Sequence, residues 1–176
     1  MESNIRKRSN MKLHDLKKEI PKIFEHVKSD VKKVFGRHRV GLSLGLAEMG
    51  MGQGFFIGGM HFAPGTDIIM NISPLIIILE TQPYEVVWAY TYHILLHEYI
   101  HSLGIIDERQ CRILTLKLTK EIFSESDHPA ITLAESGIGA FIPNLKLRYI
   151  PPNQKPDGIA IEYLSEFEKE SYDYYS

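Results

Sequence analysis

His97-Glu98-Tyr99-Ile100-His101, followed by Ser102-Leu103-Gly104 and Ile105-Ile106-Asp107, is the stretch on which the reading of this chain turns. On a helix, residues four apart lie on one face a turn from each other, so the imidazoles of His97 and His101 can reach one metal ion. Glu98 follows the first histidine, where a carboxylate can take a proton from metal-bound water. Gly104 lets the chain turn sharply, and Asp107 then offers an oxygen ligand. The residues outline a zinc hydrolase with one Zn2+ held by His97, His101 and Asp107, and with Glu98 as its general base.

The flanking sequence suits that outline. Residues 84–103 read as a helix whose apolar side chains (Val86, Val87, Ala89, Tyr90, Ile94, Leu95, Ile100, Leu103) lie on most of its faces. Thr81-Gln82-Pro83 is a plausible start, because proline fits a first turn where its missing N–H is no loss. A helix apolar nearly all round is buried, and two buried histidines and a glutamate must then be satisfied; a metal does so. Against this stands the plainer reading that His93, His97 and His101 are core histidines with hydrogen-bond partners. His93 and His97 are also four apart, but only His97 is followed by a glutamate, so His93 is read as a packed or outer residue.

The third ligand is open to two readings. Asp107-Glu108-Arg109-Gln110 begins a second amphipathic helix with Cys111, Ile113, Leu114, Leu116, Leu118, Ile122 and Phe123 as its apolar positions. Asp107 with Gln110 three residues on is a helix-capping pattern. If Asp107 caps, Glu108 or a more distant residue such as His128 takes the metal.

At these residues the chain resembles the zincin metallopeptidases, and more narrowly an H-E-x-x-H-x-x-G-x-x-D variant of the metzincin signature. It is also similar to small zincin-like proteins of bacteria and archaea in which that aspartate is followed by glutamate, as Asp107 is by Glu108 here. The match is specific over residues 97–108 and looser over about 40–125. A glutamate ligand on the following helix would instead resemble gluzincins, whose spacer is usually longer. The resemblance implies a zinc-dependent endopeptidase acting on peptide or protein substrates. It also implies an α+β fold: a small mixed, twisted sheet backed by helices, with the motif on a buried helix. One departure is plain: metzincins carry a methionine turn after the third ligand, whereas Met1, Met11, Met49, Met51, Met60 and Met70 all precede the motif.

With 176 residues the chain can bury a sizeable core, and a single catalytic domain is expected over 1–176. Its one cysteine, Cys111, excludes an internal disulfide and fits a reducing, cytoplasmic setting. Four residues past Asp107, that thiol could lie near the metal or be a small core residue. The first forty residues lack the apolar run of a signal peptide, and no stretch approaches a membrane span.

The formal charge of −2 hides an asymmetry: residues 1–40 sum to +7, residues 41–120 to −3 and residues 121–176 to −6. Basic head and acidic tail could pair, or the head could meet nucleic acid. Interleaving of Lys17, Lys18, Lys22, Lys28, Lys32 and Lys33 with apolar residues favours an ordinary solvated helix face. A silent zincin-fold binding or regulatory protein with a structural metal, associated with nucleic acid through that helix, is the rival reading. An intact Glu98 argues against it.

Along the chain, residues 1–10 read as disordered and 12–35 as an amphipathic helix stopped near Gly36. Residues 40–79 carry strand-like runs punctuated by glycines, with 75–79 either a buried strand or a short helix. An edge strand among residues 54–72 would suit an extended peptide. A short helix is expected over 129–136. From Pro143 onward the chain is loop-rich, with a short strand at 159–161 and an acidic end. Residues 165–176 folding back over the cleft would make the protein latent. Tyr149 and His128 are candidates for stabilising an oxyanion, although nothing in the sequence positions either.

Overall fold

The computed structural model describes residues 10–152 and 158–164. The expectations of disorder at the amino terminus and of a folded-back tail over 165–176 fall largely or wholly outside them. Among the described residues the architecture is α+β: five α-helices and a small mixed sheet.

Helix α1 (Leu13–Phe35) buries Leu16, Ile20, Ile23, Phe24, Val27 and Val31, a stripe spaced by about one turn, and leaves most of its lysines toward solvent. Strands β1 (Ser43–Ala47), β2 (Phe55–Ile57), β3 (Gly59–His61) and β4 (Asp67–Asn71) follow. Helices α2 (Ile72–Thr81), α3 (Tyr84–Ser102), α4 (Glu108–Ile122) and α5 (Pro129–Ser136) come next, then β5 (Lys146–Arg148) and β6 (Glu162–Tyr163). The main sheet has the order β3-β4-β1-β6; β1 and β4 are parallel, and the two outer strands are antiparallel to their neighbours. Strands β2 and β5 form a separate parallel pair.

Side chains alternate across the sheet as the period of two requires. Leu44, Leu46, Ile68 and Met70 enter the main core with α1 and α3, whereas Ala47, Met60 and Ile69 face the other way, under Ile150, Ile159 and Ile161. The run at 75–79 is helical: Asn71 accepts the Ser73 N–H at 3.1 Å and caps α2, overriding the β-branched composition. The strand expected at 159–161 is displaced to Glu162–Tyr163, because Ile159 and Ile161 act as cover for the sheet rather than as a ladder. Lys17 joins Glu162 at 2.9 Å, one contact between the basic head and the acidic end.

Helix α3 is the axis of the molecule. It is buried from Val86 to Ser102 apart from Trp88, and it packs against α1, α4, α5 and the sheet. Tyr92 donates its hydroxyl to Asp30 at 2.7 Å, and the Tyr99 ring meets Phe24 edge-on at 5.7 Å, so α1 holds one side of it. Among the described residues no helix is long and apolar enough to cross a membrane.

Strand β3 ends the sheet and lies directly on α3. A Cβ on Gly59 would come within 2.7 Å of Ile94 Cγ2 and 2.8 Å of the Ile69 carbonyl oxygen, so only glycine lets strand and helix approach this closely. Gly59→Ala is expected to cost about 1–3 kcal/mol through overpacking. Thermal unfolding followed by circular dichroism should show a melting temperature several degrees lower; an unchanged value would mean the gap admits a methyl group.

Candidate metal centre

His97 and His101 project from the carboxyl-terminal half of α3, their rings 4.7 Å apart and nearly perpendicular. Their Nε2 atoms are 3.1 Å apart. The helix then ends, and Gly104, with φ 99°, turns the chain in a left-handed conformation that glycine tolerates without a Cβ clash. This turn brings the start of α4 back to the imidazoles. Glu108 Oε1 lies 2.7 Å from His101 Nε2 and 3.4 Å from His97 Nε2.

The carboxylate facing both imidazoles is therefore that of Glu108, whereas Asp107, the ligand expected from the motif, stands as a helix cap. Asp107 Oδ1 accepts the Gln110 N–H at 2.7 Å and closes the first turn of α4. The physical reason is directional: an N-cap side chain folds toward its own helix, while the next residue is carried around to the opposite side. His128, the more distant alternative, likewise caps a helix, accepting the Ala130 N–H at 3.1 Å, and stacks on Phe123.

A second carboxylate stands beside this cluster. Glu98 is buried; it accepts the His61 backbone N–H, and its Oε2 has no hydrogen-bond partner. Burial pushes its carboxyl up to about 8, opposed by His101. Glu108 behaves oppositely: burial alone would raise it, but hydrogen bonds from His101 and His97 hold it down to about 2. Burial also lowers His97, only partly offset by Glu108. For His101 burial is outweighed by Glu108, Glu98 and the Ile105 carbonyl, and the imidazole is raised. Two imidazole Nε2 atoms and a carboxylate thus converge on one point, where a shared proton or a cation must sit.

The donors fit a metal. Four ligands about 2.0–2.1 Å from a tetrahedral zinc stand roughly 3.3 Å from one another. The separations among His97, His101 and Glu108 run from 2.7 to 3.4 Å, near that value or shorter. Glu108 Oε2 is also buried without a hydrogen-bond partner. Cys111 adds a sulfur: His97, His101 and Cys111 form a buried cluster, with ligand atoms within 4.8 Å of one another, that could hold a metal ion. Cys111 and Glu108 face different nitrogens of His97. The sulfur lies 3.6 Å from Nδ1, whereas the carboxylate faces Nε2, so one ion cannot use both through that ring.

Other residues of the site come from distant parts of the chain. Tyr149, just past β5, stacks on His97 at 3.8 Å and shares a 3.0 Å hydrogen bond with His93 Nε2. Arg112 lies over the other ring, 5.1 Å from the Tyr149 centroid, and its Nε is 3.8 Å from Glu108. His93 is buried, its imidazole driven down to about 3 chiefly by burial. A cavity of about 620 Å³ borders His93, His97 and Tyr149, between α3, α4, α5 and β5.

Sequence reasoning missed His61 and Arg112. His61 is buried on β3, donates Nδ1–H to the Asp67 carbonyl at 2.9 Å, and leaves Nε2 without a partner. Nothing local marked it, because its place depends on how β3 lies on α3. Strand β3, within the 54–72 stretch, is one edge of the main sheet; just past it, Ala63 donates its N–H to Pro152 at 2.8 Å, so the chain itself takes up part of this border.

No protein-family model, curated protein or solved structure matches this chain.

Proposed function

We propose that the protein is a zincin-type, zinc-dependent peptidase. The observation that carries this reading is the convergence of His97 Nε2, His101 Nε2 and a Glu108 carboxylate, with the buried, half-unpartnered carboxylate of Glu98 one residue from the first imidazole. Its placement on a central helix beside a sheet edge supports an extended peptide as substrate. A structural metal site would not require the Glu98 carboxylate.

His97, His101 and Glu108 would hold the ion, which when bound polarises a carbonyl and activates water for its attack. Glu98 accepts the proton of the attacking water and passes it to the leaving nitrogen. Burial holds this carboxyl up to about 8, and a dication bound beside it would favour the ionised form that a base requires. Ile105, through its carbonyl 2.6 Å from His101 Nδ1, takes that ring's N–H and leaves the lone pair on Nε2. Tyr149, stacked on His97, restricts the ring's rotation and shields one of its faces from water.

The purified protein should hold one zinc ion per chain and cleave peptides in a chelator-sensitive reaction restored by zinc. Zinc binding should weaken as pH falls. Its ligands must be deprotonated, and the bond to Glu108 raises the affinity of His101 for its proton, so acid competes effectively there. Zinc titration by calorimetry across the pH range tests this; pH-independent affinity would exclude imidazole ligands. A protein that binds zinc but cleaves nothing in a broad peptide library would favour the regulatory alternative.

A further inference from the structure

The two imidazoles are oriented by different means. His101 gives its Nδ1–H to a backbone carbonyl, the usual outer partner of a metal-binding histidine. His97 Nδ1 instead faces the sulfur of Cys111, 3.6 Å away, a distance set by sulfur's larger radius. The thiol donates in turn to the backbone oxygen of His97 itself, at 3.3 Å. Cys111 is fully buried, and its own carbonyl is taken by Thr115 at 2.8 Å.

We propose that Cys111 is a positioning residue, not a ligand. Its sulfur accepts the Nδ1–H of His97, fixing the tautomer that leaves the Nε2 lone pair free for the metal beside Glu108. Glu108 and Cys111 are three apart on α4, hence neighbours on one helix face. That single face therefore holds the ring at both nitrogens, the carboxylate at Nε2 and the thiol at Nδ1. Tyr149 packs flat against the same ring, leaving it little freedom to turn.

A thiol suits this place better than the carboxylate common elsewhere. Two acidic side chains, Glu98 and Glu108, already crowd the cluster, and a third would add repulsion in a buried setting. A neutral thiol accepts one hydrogen bond and donates another without adding charge.

The affinity arm of the test rests on the metal-binding reading; the tautomer arm does not. Cys111→Ser and Cys111→Ala leave nearly the same volume unfilled and differ by one hydroxyl, so their difference isolates the hydrogen bond from the cavity. In the metal-free full-length protein, where Glu108 competes for a proton on Nε2, nitrogen NMR of the histidines should show a larger Nδ1–H fraction for His97 in wild type and Cys111→Ser than in Cys111→Ala. Zinc affinity, measured by chelator competition, should fall about 10–100-fold in Cys111→Ala and largely recover in Cys111→Ser. Cobalt-loaded wild type should lack thiolate-to-metal charge-transfer absorption. A charge-transfer band abolished by Cys111→Ser would make the sulfur a ligand and overturn the proposal. So would a His97 tautomer indifferent to Cys111→Ala. Failure of all three proteins to bind metal would sink the metal reading while the tautomer still decides the role of Cys111.

Discussion

Glu98→Gln is expected to bind zinc as wild type does and to lose peptide hydrolysis by about two to four orders of magnitude, the usual contribution of a positioned general base. The amide has the same shape as the carboxyl and can still accept the His61 N–H through its oxygen. What it lacks is the ability to take a proton. Zinc stoichiometry and kcat measured on the same preparation separate the two effects. Near-normal turnover would remove Glu98 from the reaction; loss of zinc would mean that the carboxylate helps to hold the ion. The substitution should also affect stability. Because burial raises the carboxyl from 4.5 to about 8, the unfolded chain releases its proton first, and metal-free wild type loses stability as pH rises through that interval. Metal-free Glu98→Gln does not share this loss, so its melting temperature should rise relative to wild type between those pH values.

The second large effect sets Glu108 against its neighbour. Glu108→Ala should lower zinc affinity by more than the roughly 10–100-fold typical of losing an outer partner, and hydrolysis should fall with it. Asp107→Ala should keep zinc and cost only a helix cap, about 0.5–2 kcal/mol. That corresponds to a few degrees in the melting temperature of a chain this size. Chelator competition and thermal unfolding on both variants separate the roles. If Asp107→Ala loses zinc and Glu108→Ala keeps it, the two assignments are exchanged.

The neighbours Asp107 and Glu108 also illustrate where reading residues in order stops. The pairing of Asp107 with Gln110 is a capping signal, and the spacing from Gly104 to Asp107 is a ligand signal. Both fall on one side chain. Only the course of the turn between Ser102 and Glu108 decides between them, and it points Asp107 along α4 and Glu108 at the imidazoles. For Cys111 the sequence favours a small core residue over a thiol near the metal; its burial and its distance from Nδ1 satisfy parts of both readings. The run at 75–79 was ambiguous because β-branched residues enter a helix or a strand when both are buried, and the Asn71 cap settles it as α2.

Local spacing alone determined that a long buried helix carries His97, Glu98 and His101 as a group, since a four-residue interval on a helix places side chains together whatever surrounds it. It likewise marked the amphipathic face of α1, which needs only a periodic stripe. Tertiary structure alone decided which carboxylate meets those imidazoles, that His61 on β3 comes up against Glu98, and that Tyr149 crosses fifty residues of chain to cover His97. These contacts join segments whose approach depends on turn geometry and on the close passage of β3 over α3 at Gly59, and neither quantity is encoded in the period of any one segment.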